Sequence, residues 1–248
     1  MDDPSANFGE AAQRYQAFRP AYPDAVFQVL QQTVKSGRAH AVDLGAGTGQ
    51  ASRRLAGIFD HVTAVEPDAR LAAEARLPEN VTLNVESAER VSFDHNSLDA
   101  VICATAFHWM DQLLICNRVS QWLNSGGAFF PFAVDAFDVK GRARSFYEAE
   151  FDKWRAYRDR RLVENYDYHR IVDASGAFSR VTPFRQTSHL VLDATEAAGL
   201  VSTFSFARDY ARANGGDPYF RYLKETFQSL GDRVEFSVPI VGAIGLKT

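Results

Sequence analysis

The chain is poor in cysteine and methionine, has no long apolar run, and carries little excess of either charge sign. Its 248 residues include two cysteines. Cys103 lies in a strand-like apolar pattern and Cys116 in a helical one, and neither has metal-ligand spacing to other candidate residues. A chain of this length buries enough core to fold without a disulfide or a structural metal, so no metal is expected and both thiols read as buried. No stretch reaches the roughly twenty apolar residues that a membrane-crossing helix needs. The opening Met1-Asp2-Asp3-Pro4-Ser5 has neither the basic nor the apolar part of a secretory signal. A soluble, cytoplasmic protein is the expectation. Lys and Arg number 27 against 31 Asp and Glu, a formal net charge of -4. Such a balance offers no standing attraction to nucleic acid or to an anionic membrane. The expected partner is a small molecule, with the chain acting as a monomer or homodimer.

What is present is concentrated in residues 41–50, Ala-Val-Asp-Leu-Gly-Ala-Gly-Thr-Gly-Gln. An apolar strand end runs into three alternating glycines and then into a helical pattern. Gly45, Gly47 and Gly49 remove side chains where the backbone must turn sharply and where a flat adenosine ligand can approach it. A dinucleotide loop requires Gly or Ala at the sixth position of its fingerprint, where this chain has Gln50. Asp43 repels a doubly charged pyrophosphate and attracts an ammonium or sulfonium group. The next apolar run, 61–65, delivers Glu66, whose carboxylate can accept from both ribose hydroxyls.

Strand-like runs at 39–44, 61–66, 81–85, 98–105 and 128–134 alternate with helical patterns at 49–57, 69–76 and 110–123. That alternation predicts a parallel sheet wound by right-handed crossovers, with its ligand at the strand carboxyl ends. Further strands are expected at 184–192 and 235–247, and the segment 193–230 should be helical, broken into two pieces by Gly215, Gly216 and Pro218. In 140–171, Tyr147, Phe151 and Trp154 recur at helical spacing. Those rings either pack on the domain core or line a pocket as part of a lid. The run of Arg155, Arg158, Arg160 and Arg161 reads mainly as a solvated helix face.

Val42-Asp43-Leu44-Gly45-Ala46-Gly47-Thr48-Gly49 resembles motif I of the class I S-adenosylmethionine-dependent methyltransferases, and Val65-Glu66-Pro67-Asp68 resembles their motif II. Ser87-Ala88-Glu89 is similar to the adenine-contacting segment, Asp99-Ala100-Val101 to the fourth strand, and Leu123-Asn124-Ser125-Gly126-Gly127 to the turn before the fifth. Tyr15-x-x-x-Arg19-Pro20-x-Tyr22-Pro23 and Ala106-Phe107-His108-Trp109-Met110-Asp111 resemble the trans-aconitate methyltransferase-like group within methyltransferase type 11. The likeness covers about 8–135 and thins beyond.

The resemblance implies a Rossmann-like, doubly wound α/β fold, with a mostly parallel seven-stranded sheet, helices on both faces and a helical cap. A single methyltransferase domain is expected over 1–248: an N-terminal flap and helix (1–38), the cofactor core (39–135), the cap (136–183), and closing strands with a second cap segment (184–248). The implied cofactor is S-adenosyl-L-methionine, leaving as S-adenosyl-L-homocysteine. The residues implied to hold it are Tyr15, Arg19, Asp43, Gly45, Ala46, Gly47, Thr48, Gly49, Gln50, Glu66, Pro67, Ser87, Ala88, Glu89, Thr105 and Phe107. Ser87 departs from the Asp of many relatives, although a hydroxyl can still accept from the adenine amino group. Substrate contacts are expected from Tyr22, His108, Trp109, Phe151 and Trp154, with His108 the catalytic candidate. His108 either takes a proton from an O–H or N–H acceptor or only hydrogen-bonds in the site. A nicotinamide-dependent oxidoreductase and a non-catalytic cofactor-binding subunit are the alternatives; Gln50 and Asp43 oppose the first.

Overall fold

A computed structural model describes residues 17–164 and 166–248, so Tyr15 lies outside the described residues. Residue contacts divide the chain into two compact units. The larger comprises Ala21–Val134, Glu164–Gln186 and Ile240–Thr248; the smaller comprises Asp135–Val163 and Thr187–Pro239 with residues 17–20. This partition cuts across the sequence-based cap boundaries: 164–186 belongs with the cofactor core, and most of the last third does not.

In the larger unit, α1 (Asp24–Thr33) precedes β1 (His40–Leu44), α2 (Gln50–Leu55), β2 (His61–Val65), α3 (Ala69–Ala73) and β3 (Val81–Asn84). There follow β4 (Leu98–Ala104), a 3-10 turn (Phe107–Trp109), α4 (Gln112–Trp122) and β5 (Leu123–Val134). The strands lie in the order β3-β2-β1-β4-β5 and are parallel. The last strand, β8 (Val234–Leu246), pairs antiparallel with β5 through Ala128 opposite Leu246 and Val134 opposite Ile240.

Alternation along each strand separates two apolar layers. Val42, Leu44, Val101, Cys103 and Phe129 face Ile115, Cys116, Val119 and Trp122 of α4, together with Tyr168 and Val172 of α7 (Tyr168–Ala174). Ala41, Ala100, Ile102, Ala128 and Phe130 face Val26, Phe27 and Leu30 of α1 and Leu55 of α2. The sheet is thus covered by helices on both faces.

Several boundaries differ from the sequence reading: β5 begins at Leu123, five residues before the expected start, and three others have identifiable reasons. β4 stops at Ala104 because Thr105 turns to φ 57, a conformation in which a β-branched residue cannot continue a strand. α3 ends at Ala73, short of the expected 76, as the chain approaches Pro78. β7 (Arg180–Leu192) begins four residues earlier than expected, in pairing with β8.

In the smaller unit, β6 (Asp138–Val139) pairs with the start of β8, an eighth strand too short for sequence periodicity to reveal. α5 (Arg144–Trp154) buries Tyr147 and Trp154, and a short α6 spans Arg161–Glu164, its last residue belonging to the larger unit. The 193–230 segment forms three helices, α8 (Ala194–Ser202), α9 (Ser205–Ala213) and α10 (Pro218–Leu230), where two were expected. A capping box starts α8: Asp193 Oδ1 accepts from Glu196 N at 2.8 Å while Glu196 Oε2 accepts from Asp193 N at 2.8 Å. The unforeseen break at Thr203–Phe204 contains neither glycine nor proline.

Candidate active site

The glycine loop lies at the carboxyl end of β1, folded against β2. Gly45 N and Ala46 N both donate to the Val65 carbonyl, at 2.8 and 3.0 Å, and Gly49 N donates to Ala46 O at 2.9 Å. All three glycines are left-handed, with φ of 74, 56 and 79 at Gly45, Gly47 and Gly49. Their surroundings differ. A Cβ on Gly45 would fall 2.4 Å from Ala106 Cβ, and one on Gly49 would fall 2.3 Å from Leu77 Cδ2. A Cβ on Gly47 would meet nothing within 4 Å. Two glycines therefore permit close packing of the protein on itself, and the middle one borders open space.

Glu66, at the tip of β2, accepts from Gly47 N through Oε2 at 2.8 Å and from Asp68 N through Oε1 at 2.9 Å. The acid expected at a ribose also fixes the glycine loop. Each oxygen keeps a lone pair for a ligand hydroxyl. Asp43 is fully buried, and its Oδ2 accepts from Ser52 Oγ at 2.6 Å. Its Oδ1 has no hydrogen-bond partner among the described residues. Burial pushes the Asp43 carboxyl up to about 6, opposed by the Ser52 hydrogen bond and assisted by the charge of Glu66. An enclosed carboxylate oxygen with an unused lone pair, beside a second carboxylate, favours a cationic or donor-rich ligand and disfavours a pyrophosphate. The sequence reading missed Ser52, whose signal is its place on the first turn of the helix after the loop.

Of the other expected cofactor residues, Ala46 and Thr48 are buried in the loop, Gln50 opens α2, and Pro67 is exposed after Glu66. Ser87 is half-buried and Ala88 buried beyond the end of β3. Glu89 Oε1 accepts from Asp111 N at 3.1 Å, which ties it to the start of α4. Thr105 Oγ1 shares a hydrogen bond of 2.8 Å with Tyr22 Oη, so the strained residue ending β4 is clamped by the segment before α1. Phe107, expected at the cofactor, is fully buried, with its ring 5.5 Å from Phe129 and 5.2 Å from Tyr168. The tight turn over Phe107–Trp109 directs Phe107 and His108 inward and leaves Trp109 41% exposed.

His108 is 1% exposed, and its Nδ1 lies 2.7 Å from Tyr168 Oη. Trp109 and Tyr166 complete the ring cluster, at 4.7 and 5.4 Å from His108. Tyr166 donates its hydroxyl to the Val134 carbonyl. Neither tyrosine was foreseen, since 164–186 carries no motif and only the Tyr-x-Tyr spacing marks it.

The remaining expected residues lie in the smaller unit. Arg19 Nη1 donates to Thr203 Oγ1 at 3.2 Å, and its guanidinium lies over Phe137 and Phe204. Trp154 is fully enclosed, its indole N–H donating to Tyr219 Oη at 2.6 Å, which leaves no ring face for a substrate. Phe151 is half-buried and packs edge-on to Phe206 at 5.9 Å. Of the two readings of α5, the interior one describes Trp154 and Tyr147. Among the described residues, no helix is long and apolar enough to cross a membrane.

The family model described as a methyltransferase domain matches residues 42–130. A Dictyostelium discoideum protein named as a methyltransferase is 25% identical over 228 residues, covering 88% of this chain and 84% of that protein. An uncharacterised methyltransferase of Mycobacterium tuberculosis is 35% identical over 127 residues, 50% of this chain and 51% of that protein, so the match spans about half of the mycobacterial relative. Among solved structures, a type II methyltransferase from Anaeromyxobacter dehalogenans superposes with a TM-score of 0.76 at 23% identity, covering 92% of this chain and 98% of that one; the likeness is one of fold.

Proposed function

The chain belongs to the class I S-adenosylmethionine-dependent methyltransferases, and from that premise we propose that it methylates a small organic acceptor, a carboxylate or another oxygen or nitrogen nucleophile. One observation carries the reading furthest. Asp43 presents a buried oxygen without a partner, at the same sheet end as the open face of Gly47 and the ribose-type acid Glu66. This set fits S-adenosylmethionine: Glu66 would accept from the ribose, Ser87 and Ala88 would border the adenine, and Asp43 would face the cationic end. When bound, the cofactor supplies an electrophilic methyl on a sulfonium that leaves as a neutral thioether.

The residues of the chain then have modest work. They hold the acceptor in line and exclude water, which needs no nucleophilic side chain. Tyr22, His108 and Trp109 are assigned to the acceptor. A carboxylate acceptor is already ionised at neutral pH and needs only hydrogen-bond donors or a cation to orient it, whereas an alcohol or amine needs a base. The similarity to the trans-aconitate group favours the carboxylate. The proposed partner is this small molecule alone, with neither nucleic acid nor membrane, acted on by a monomer or homodimer in the cytoplasm.

The test is to incubate the purified chain with methyl-labelled S-adenosylmethionine and separate pools of small carboxylic acids, amines and phenols. Label is expected in a base-labile ester from the acid pool. Label in an amine product would reject the carboxylate assignment, and cofactor binding without transfer to any pool would identify a non-catalytic subunit.

A further inference from the structure

We propose that Ser52 is a positioning residue for the charged end of the cofactor: its hydroxyl holds one oxygen of Asp43, so that the carboxylate stays ionised and presents its other oxygen to the ligand. The inference deepens the methyl-transfer reading and rests on it for the identity of that ligand.

Strand alternation turns Asp43 to the same face of the sheet as Ala41, where Leu55 of α2 and Val26, Phe27 and Leu30 of α1 form an apolar layer. A carboxylate enclosed there loses its hydration and takes up a proton unless hydrogen bonds hold the charge. Ser52, on the first turn of α2 and fully buried, supplies one: its Oγ donates to Asp43 Oδ2 at 2.6 Å. A serine inside a helix commonly turns its hydroxyl back to the carbonyl four residues earlier. Here that carbonyl, Thr48 O, accepts from Arg53 Nη1 at 2.9 Å, and the Ser52 hydroxyl crosses to β1 instead. Asp43 Oδ1 has no hydrogen-bond partner among the described residues. Two apolar side chains would serve helix packing at least as well, and the unused oxygen is the feature they would not supply.

The charged and titratable neighbours leave this role to Ser52. Glu66 on β2 adds a like charge, which favours the proton, and its oxygens accept from Gly47 N and Asp68 N. Cys103 on β4 stays a neutral thiol, held well above its ordinary range by burial, with the charge of Asp43 adding to the effect. The arginines of α2 are committed elsewhere, Arg53 to the carbonyls of Thr48 and Arg76 and Arg54 to Asp24. Burial raises the Asp43 carboxyl to about 6 against the opposing Ser52 hydrogen bond. A cationic ligand takes the ionised form, so below that pH it has to displace a proton, and affinity falls as the pH falls.

Calorimetric titration of the wild-type chain with S-adenosylmethionine should show about tenfold weaker binding at pH 5 than at pH 7. Carbon-13 NMR of the aspartate carboxyls in cofactor-free protein, with the Asp43 signal assigned by Asp43→Asn, follows the carboxyl itself. The wild type should titrate at about 6, Ser52→Ala at higher pH, and Ser52→Thr, which keeps the hydroxyl, as the wild type does. The midpoint of the affinity profile should move with the carboxyl, whereas a loss of helix packing alone would weaken binding equally at every pH. Ser52→Cys, close in size and a weaker donor, takes the place of Ser52→Ala should that variant not fold, and should also titrate above the wild type. Equal wild-type affinity at pH 5 and pH 7, an unchanged Ser52→Ala midpoint, or a Ser52→Thr midpoint as high as that of Ser52→Ala would overturn the proposal; the wild-type profile decides even if no variant folds. Absence of binding at every pH removes the methyltransferase reading, while the carboxyl titration still reports whether Ser52 holds Asp43.

Discussion

Asp43 puts function and stability in opposition. Its carboxyl titrates at about 6 in the folded chain against 3.8 as a free side chain, so between those values the folded state binds more protons than the unfolded one. The stability contributed by this group is complete below about pH 4 and is lost as the pH rises through 6, a total of ~3 kcal/mol. Urea unfolding of the cofactor-free chain at pH 5 and pH 7.5 should show roughly half of that loss, about 1.4 kcal/mol, in the wild type, and Asp43→Asn should remove it. Identical pH dependence in both would mean that Asp43 is not held in a desolvated site.

The same residue scale separates the glycines. Gly45→Ala, with its Cβ 2.4 Å from Ala106 Cβ and φ of 74, should cost about 2–4 kcal/mol of stability, combining left-handed strain with overpacking. Gly47→Ala, with open space around it, should cost only about 1–2 kcal/mol but weaken cofactor binding at least as strongly as it weakens the fold. Thermal melts and calorimetry on the two variants check this division. Asp43→Asn combined with Glu66→Ala should weaken cofactor binding by on the order of a few kcal/mol, through loss of charge-assisted hydrogen bonds at two points. Asp43, Glu66 and the glycines were legible in the sequence because a strand tip, a turn and an acid at fixed spacing have few other uses. Ser52, Tyr166 and Tyr168 were not, because their roles are set by what they pack against and no spacing announces it.

At the scale of elements, the parallel strands β1, β2, β4 and β5 were readable from their apolar runs, since each is buried along most of its length and tolerates little polar interruption, whereas β3, at the sheet edge, has no buried residue. Boundaries failed where a single residue decided them, as at Thr105, or where pairing with a distant strand extended an element, as at Arg180. In α5, amphipathic spacing identified the helix but not what its rings face. The structure closes Trp154 against Tyr147 and Tyr219, with the buried Glu150 accepting from Tyr219, from Tyr222 at 3.3 Å and from Lys153 at 2.6 Å. Trp154→Ala should therefore destabilise the chain by about 3–5 kcal/mol, measurable by chemical denaturation. A loss below about 1 kcal/mol would place the ring at a surface or in a pocket.

For the whole molecule, the sequence read one domain with a cap, whereas contacts group the chain into two interleaved units whose strands β7 and β8 each contribute residues to both. Hydrophobic periodicity registers an element and carries no information about which distant element receives it. The cofactor reading is concentrated in the larger unit, where the glycine loop, Asp43, Glu66 and Thr105 share one end of adjacent strands. Calorimetric titration of the purified chain with S-adenosylmethionine and, separately, with nicotinamide dinucleotide tests that reading most directly. Micromolar binding of the first with no heat from the second is the expected result; binding of the dinucleotide with no response to S-adenosylmethionine would contradict it.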